Sequence, residues 1–253
     1  MQKRVYLSVS EKLKIIIPTK QKNNTFNSSS TYECLQSVLV DSTVQKNLDI
    51  NVIVQPIFEN SRGLSDLYQD ELNKNDADYM LFMHDDLEIH DHFLIKKLLK
   101  AHQIYDIVGL AGATSQNYNT NNPMVWHLCR EKPEHSRGIV SHYIPKGFNG
   151  VSETHINSAY FGPTPGSVVV IDGLFMSFKM SALKGKGEIF DRNFTFHHYD
   201  MAMCVNAVEK GLTIGVWPIY CLHYGLGEFA NDKVWQKHAT EFKQKYGNKI
   251  LRV

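Results

Sequence analysis

Residue types that could carry chemistry occur in three short segments of the chain, the first of which pairs two carboxylates. Asp85 and Asp86 follow the apolar run Tyr79–Met83 and His84. Acidic side chains at the end of a buried strand suit a hard divalent cation that bridges two phosphates, and such a cation would neutralise charge on a leaving diphosphate. The same aspartates could instead cap a helix or a turn near Asp91. By itself, the pair is more typical of that capping role.

The other two segments supply a further carboxylate and a histidine. Asp200 lies in the first turn of a predicted helix, where the helix dipole favours its ionised form, so it could take a proton from an acceptor hydroxyl. It could equally only stabilise the helix, because acidic residues are common at helix starts. His223 stands before Gly225 and Gly227 and could bind a metal or contact a diphosphate. A lone histidine beside a turn is more often structural.

The first half of the chain alternates β-rich and helical patterns. Strands are predicted over residues 13–17, 50–57, 79–83 and 106–110, and helices over residues 31–39, 65–73 and 93–102. This alternation predicts an α/β fold with a mostly parallel, Rossmann-like central sheet flanked by helices. Such sheets bind ligands at the carboxyl ends of their strands, which is where Asp85 and Asp86 fall.

The second half begins with a long stretch of weak periodicity, residues 114–165, which predicts an acceptor-side loop region with one short strand near 138–143. Further elements are predicted as strands over 167–171 and 213–216 and helices over 199–210 and 231–246, the first helix being closed by Gly211. Four aromatic residues are interleaved in the loop region: Trp126, Tyr143, Phe148 and Tyr160.

Composition excludes several classes of function. The formal net charge is +1 and the basic residues are dispersed, so no nucleic-acid partner is expected. Four cysteines without a C-x-x-C pair predict reduced thiols and a cytoplasmic protein, either free or peripheral at a membrane. No stretch approaches the roughly 20 apolar residues of a transmembrane segment. Motifs of zinc hydrolases, P-loop proteins, dinucleotide-binding proteins and serine hydrolases are missing from the sequence.

In their order and spacing, the segments resemble the family 2-like glycosyltransferases, most closely a bacterial and viral branch with an H-x-D form of the D-x-D motif. His84 to Asp86 resembles that motif, and Asp172-Gly173 resembles the acceptor-side D-G-x-x-M segment. Tyr199-Asp200 ends an F-x-x-Y-D stretch, and residues 217–227 resemble the closing loop. Three features depart from the family pattern: His84 replaces the first aspartate of D-x-D, Tyr199 replaces an acidic residue, and residues 58–61 replace an Asp-rich loop that holds the base and ribose of the donor.

The resemblance implies a single GT-A domain over residues 1–253, with a nucleotide-sugar-binding half (1–112) and an acceptor-binding half (113–253). It implies Mn²⁺ or Mg²⁺, a nucleotide-sugar donor with a UDP-sugar favoured, and transfer with inversion to a glycan, lipid-linked or protein acceptor. Asp200 would be the general base. The metal would be bound by Asp86, His223 and His84. Donor-binding residues would be Pro18, Thr19, Glu59, Asn60 and Asp85, and acceptor-binding residues would be Asp172, Gly173 and Trp217.

Three alternatives stay open at the level of sequence. A non-catalytic carbohydrate-binding protein would use the four aromatic residues to stack on sugars. A degenerate GT-A protein would have lost activity, as the departures at His84 and Tyr199 could indicate. A sugar-phosphate nucleotidyltransferase is less favoured, because the segment 19–24 after the first strand is basic but lacks glycine.

Overall fold

The computed structural model describes residues 10–43, 48–225 and 232–253. The strands in these ranges are β1 (Glu11–Pro18), β2 (Ile50–Ile57), β3 (Tyr79–Met83), β4 (Leu87–Ile89), β5 (Ile107–Gly109), β6 (Ala111–Ala113), β7 (Ser115–Asn117), β8 (Ser136–Ile144), β9 (His155–Gly162), β10 (Gly166–Val168), β11 (Val170–Ile171), β12 (Phe175–Lys179), β13 (Ile214–Val216), β14 (Cys221–His223) and β15 (Ile250–Arg252). The α-helices are α1 (Asn23–Phe26), α2 (Ser30–Thr43), α3 (Leu64–Lys74), α4 (Leu94–Ala101), α5 (Trp126–Cys129), α6 (Met180–Leu183), α7 (Tyr199–Glu209) and α8 (Lys233–Tyr246).

The main sheet has seven strands in the order β10-β13-β5-β12-β3-β1-β2. β2 and β3 run parallel to β1, and β13 runs parallel to β5, as the alternating sequence pattern predicts. β12 lies antiparallel between β3 and β5 and was not predicted. The observed architecture is a mixed α/β sheet flanked by helices, consistent with the GT-A fold that the resemblance implies.

A second sheet, built on β8, lies at the carboxyl ends of the main sheet's strands. Its order is β11-β6-β8-β14-β4, with β9 paired to β8. The single strand predicted over 167–171 is wrong in one respect: β10 belongs to the main sheet and β11 to the second sheet. The chain changes sheets at Val169, whose backbone N–H donates to the carbonyl of Ala113. This short segment therefore joins the two sheets covalently.

The prediction that residues 114–165 form loops with one short strand is also wrong. β8 covers nine residues and pairs antiparallel with the eight-residue β9. Side chains along β9 are mostly exposed, so the strand carries no apolar alternation that a sequence pattern could detect. Gly138, at φ +105°, accommodates the bulge where the register shifts.

One hydrophobic core underlies both sheets. Ile15 to Ile17 of β1 and Met80 to Met83 of β3 are fully buried, which agrees with their continuous apolar sequence. The same core includes residues of α7 and the terminal helix, such as Phe242. α8 begins at Lys233, where the side chain of Asp232 caps two backbone N–H groups. Gly211, at φ +73°, follows α7 as predicted.

Composition gave one expectation about the cysteines and one about membrane-spanning segments. The four cysteines carry free thiols, three of them buried. In the ranges that the structure describes, each helix is too short or too polar to cross a membrane. Leu226, Gly227 and Asn231, which the sequence-based motifs and helix bounds include, lie outside the described residues, as do residues 1–9.

Candidate functional site

A cavity of about 930 Å³ opens between the ends of the main-sheet strands and the second sheet. Its walls come from the segment after β3, the turn between β11 and β12, the start of α7 and the end of β14. Six of the residues predicted from sequence line it: His84, Asp86, Asp172, Gly173, Asp200 and His223. Residues almost 140 positions apart in sequence therefore share one solvent-filled space.

Three of the cavity residues form a group that could hold a metal ion. His84, Asp86 and His223 each present one ligand atom, and the three atoms lie within 4.8 Å of one another. Oδ1 of Asp86 is 3.4 Å from Nε2 of His223 and 3.8 Å from Nδ1 of His84. That carboxylate oxygen is buried and has no hydrogen-bond partner. Buried polar atoms are normally partnered, so this oxygen is available to a further ligand.

Backbone pairing brings the three side chains together. β14 pairs antiparallel with β4, so His223 lies opposite Leu87, next to Asp86. The backbone N–H of Tyr224 donates to the carbonyl of Asp86 at 3.0 Å, and that of His84 donates to Leu174 at 3.1 Å. The site is thus fixed by strand contacts rather than by flexible side chains.

The charges in this group stabilise one another. Burial alone would raise the pKa of Asp86, but the 3.4 Å contact with His223 and the charge of the nearby imidazoles outweigh it and hold that pKa below its ordinary value. Burial would lower the pKa of His223, and Asp86 reverses the effect so that it is raised. For His84, burial dominates and lowers the pKa. The site therefore combines an ionised carboxylate with imidazoles of differing basicity.

Two further carboxylates, those of Asp172 and Asp200, lie at the turn between β11 and β12. Oδ2 of Asp200 accepts from the backbone N–H of Gly173 at 3.0 Å, and Oδ1 accepts from Met201 at 2.8 Å. Asp172 accepts from Nε1–H of Trp126 at 2.9 Å. Burial and the charge of Asp172 raise the pKa of Asp200 to about 7. A carboxylate with a pKa close to neutral is suited to exchanging protons at physiological pH.

Comparison with known proteins gives the family of this chain. A family model described as "Glycosyltransferase like family" matches residues 24–250, about nine-tenths of the chain. This chain belongs to that glycosyltransferase-like family. The resemblance inferred from the motifs is confirmed at family level. A search of curated proteins gave no match. Among solved structures, A197 from STIV is similar over 85% of this chain and 86% of its own, with 12% sequence identity and a TM-score of 0.44.

The residues predicted to bind the donor form a separate group in this glycosyltransferase-like chain. Oγ1 of Thr19 donates to Oδ2 of Asp85 at 2.6 Å, and the backbone N–H of Asn60 donates to the carbonyl of Thr19 at 2.8 Å. Glu59, at φ +47°, and Pro18 flank these contacts at the ends of β2 and β1. None of the five lines the cavity itself. They lie at the carboxyl ends of adjacent parallel strands, where the fold places ligands.

Trp217, which was predicted to bind the acceptor, is a residue of the hydrophobic core. Its side chain is 7% exposed and packs in the hydrophobic core. Its backbone N–H donates to the carbonyl of Gly109 at 3.0 Å, which holds the residue against the main sheet. It does not line the cavity, so the expected direct contact with an acceptor has no support in the geometry.

Sequence reasoning missed several cavity residues. They are His127, Arg130, His142, Phe161, Phe196, His197, His198 and Trp235. Of the four interleaved aromatic residues, only Trp126 lines the cavity, while Tyr160 is exposed on β9. Nothing in the local sequence of His142 or Phe161 marked them, because the β8–β9 pairing that orients them was itself unforeseen.

A second group of residues, Cys34, Glu88 and His90, meets the same distance criterion for a metal site. Cys34 is on α2, Glu88 is in β4 and His90 follows β4. Oε2 of Glu88 already contacts Nε2 of His90 at 2.9 Å. Burial tends to raise the pKa of Glu88, but hydrogen bonds from Ser30, Tyr224 and His90 lower it. These contacts explain the group as a hydrogen-bonded cluster.

Proposed function

We propose that this member of the glycosyltransferase-like family is a metal-dependent enzyme that transfers a sugar, with inversion, from a nucleoside-diphosphate sugar to an acceptor hydroxyl. A UDP-sugar is the favoured donor. The observation that carries the proposal is that the Asp86 group and Asp200 line one cavity. A transferase needs both: stabilisation of the leaving diphosphate, and a base for the attacking hydroxyl.

The residues present are suited to a divalent cation. The ligand atoms of His84, Asp86 and His223 all lie within 4.8 Å of one another, and Oδ1 of Asp86 is 3.4 Å and 3.8 Å from the two imidazole nitrogens, so one cation could contact all three. Mn²⁺ or Mg²⁺ would supply charge neutralisation at the diphosphate, and the imidazoles of His84 and His223 favour Mn²⁺ over Mg²⁺, which prefers oxygen ligands.

Asp200 is the proposed general base. Its carboxylate takes the proton of the acceptor hydroxyl while the hydroxyl oxygen forms a bond to the anomeric carbon of the donor sugar. The bond between that carbon and the diphosphate oxygen breaks on the opposite face, so a single displacement inverts the configuration. The backbone N–H groups of Gly173 and Met201 hold the carboxylate in place without occupying all its lone pairs.

In this proposal, each half of the chain binds one of the two substrates. Residues 1–112 would bind the donor through the group around Thr19 and Asp85, and residues 113–253 would bind a glycan, lipid-linked or protein acceptor. Trp126 supports the second role, because its ring lines the cavity and its N–H fixes Asp172. His223 is the exception, since it would complete the metal site from the acceptor half.

A donor screen by thermal shift tests this proposal. The protein is heated with UDP, GDP, CMP or dTDP, with and without Mn²⁺. A ligand that binds only the folded state raises the melting temperature, by an amount that grows with its concentration over Kd. A shift with UDP that requires Mn²⁺ is expected. No shift with any nucleotide in either condition would favour a carbohydrate-binding or degenerate protein instead.

A further inference from the structure

The imidazole of His84 lies between two groups, and each faces a different ring nitrogen. Nε2 is 3.0 Å from the phenolic oxygen of Tyr199. Nδ1 faces Oδ1 of Asp86 at 3.8 Å, too far for a hydrogen bond. The environment of Nε2 therefore decides which nitrogen carries the proton of the neutral ring.

The hydrogen bonds of Tyr199 settle that choice. The phenol has one proton to donate, and its oxygen lies 3.2 Å from the carbonyl oxygen of Gly173. A carbonyl can only accept, so both contacts of the phenolic oxygen are hydrogen bonds only when Tyr199 donates its proton to Gly173. The phenolic oxygen then accepts from His84, which places the ring proton on Nε2.

Nδ1 consequently carries a lone pair and points at a carboxylate oxygen. Oδ1 of Asp86 is buried and has no hydrogen-bond partner. Two acceptors that face each other across 3.8 Å repel unless a cation lies between them. His223 approaches the same oxygen from another direction at 3.4 Å.

We propose that Tyr199 is a positioning residue that holds His84 in the Nε2–H tautomer, so that Nδ1 is the metal-binding nitrogen. This inference rests on the proposed metal site and adds which nitrogen binds the metal and what selects it. Histidine ligands commonly donate their second ring N–H to an oxygen that orients the ring. Here the accepting atom is the phenolic oxygen of Tyr199 rather than the usual oxygen of a carboxylate or a carbonyl.

The surroundings of Tyr199 are built to keep its hydroxyl in place. The residue is 4% exposed, and its ring packs edge-on against Tyr68 with centroids 5.8 Å apart. A side chain at position 173 would overlap the hydroxyl of Tyr199, so glycine is what allows the approach to this carbonyl. Tyr68 is fully buried and its own hydroxyl has no partner, which makes it a matched control.

Histidine tautomers can be measured directly by long-range ¹H–¹⁵N NMR on ¹⁵N-labelled, metal-free protein. The signals of His84 are assigned by their loss in His84→Asn. We expect the Nε2–H pattern in the native chain and a substantial Nδ1–H population in Tyr199→Phe, where Nε2–H has lost its acceptor and Asp86 attracts the proton to Nδ1. An Nδ1–H pattern in the native chain would overturn the proposal without any variant.

Calorimetric titration with Mn²⁺ alone supplies a second measurement. Loss of an orienting hydrogen bond commonly weakens metal affinity by about 10–100-fold, so Tyr199→Phe should show a loss in that range. Tyr68→Phe, which removes an unpartnered hydroxyl from the same cluster, should bind Mn²⁺ like the native chain. Equal affinity in Tyr199→Phe and the native chain overturns the positioning role. If the native chain itself binds no Mn²⁺, the metal-dependent function fails, while the tautomer is still decided by NMR.

Discussion

The carboxylate of Asp200 accepts a hydrogen bond from the backbone N–H of Gly173, with 3.0 Å between Oδ2 and the nitrogen. The carbonyl of the same glycine accepts from Tyr199, the neighbour of Asp200 in sequence. Tyr199 and Asp200, adjacent at the start of α7, therefore bind the carbonyl and the N–H of Gly173 in the turn between β11 and β12. The proposed base and the proposed orienting group of the metal site are parts of one rigid unit.

Replacing Asp200 by asparagine should abolish proton removal. We expect sugar transfer to fall by about 10²–10⁴-fold, the usual contribution of a general base, while UDP binding with Mn²⁺ stays within about twofold of the native value. Turnover of a UDP-sugar and calorimetry with UDP provide the two measurements. Asp66→Asn is the matched control, because Asp66 occupies the first turn of α3 but is not a cavity residue. A variant with most of its activity would remove Asp200 from the mechanism.

The same variant should be more stable at alkaline pH. The pKa of Asp200 is raised in the folded protein by burial and by Asp172, so the folded state binds this proton more tightly than the unfolded chain does. Its contribution to stability therefore declines as pH rises from about 4, the pKa in an unfolded chain, through the folded value. At pH 8, Asp200→Asn should raise the melting temperature by about 2–4 °C, and a lower melting temperature would contradict this.

Removing the charge of Asp172 should shift the acid limb of the pH–rate profile. Asp200 must be ionised to act as a base, so kcat/KM should fall as pH decreases through its raised pKa of about 7. Burial is the larger cause of that pKa and remains in Asp172→Asn, but the like charge is lost. The midpoint of the acid limb should therefore move to lower pH, by only part of the amount by which the pKa of Asp200 is raised. An unmoved limb would show that a different group controls it.

Affinity for Mn²⁺ should depend on Asp86 and not on His142, a neighbour of His223. The ring of His142 lies 5.5 Å from that of His223 in the same cavity, yet it is not among the three converging ligands. Asp86→Asn should weaken Mn²⁺ binding by more than the ~10–100-fold caused by loss of an orienting partner. His142→Gln should leave it nearly unchanged. If both variants bind Mn²⁺ equally well, the metal lies elsewhere.

The donor group can be tested through one short hydrogen bond. Thr19→Val removes the hydroxyl that donates to Asp85 at 2.6 Å but keeps the branched shape. The hydroxyl holds Asp85 in place, so its loss should raise KM for the donor with little change in kcat, as expected when only donor binding is affected. Thr25→Val, at an exposed position in α1, should behave like the native chain. A change in kcat alone would place Thr19 in the chemical step.

The parts of the fold that sequence predicted are those governed by local patterns. The apolar runs of β1 and β3, the periodicity of α3 and α7, and Gly211 each act within a few residues. They suffice to place Asp86 at a strand end and Asp200 at a helix start, because strand ends and helix starts are local properties.

The parts that local patterns could not give depend on pairing between distant segments. The grouping of His223 with Asp86 was expected only from the family resemblance. It arises because β14 pairs with β4, two strands of three residues that carry too few side chains for a recognisable pattern. Trp126 reaches Asp172 across 46 positions. The core position of Trp217 likewise follows from the contact of its backbone with Gly109, which composition gives no means to foresee.

The hydrogen bond between Tyr199 and His84 has an evolutionary consequence. Two of the departures from the family pattern, His84 and Tyr199, are partners 3.0 Å apart. With aspartate at 84 and an acidic residue at 199, the same contact would set two negative charges against each other, whereas histidine and tyrosine form one neutral hydrogen bond. The two positions should therefore covary among relatives.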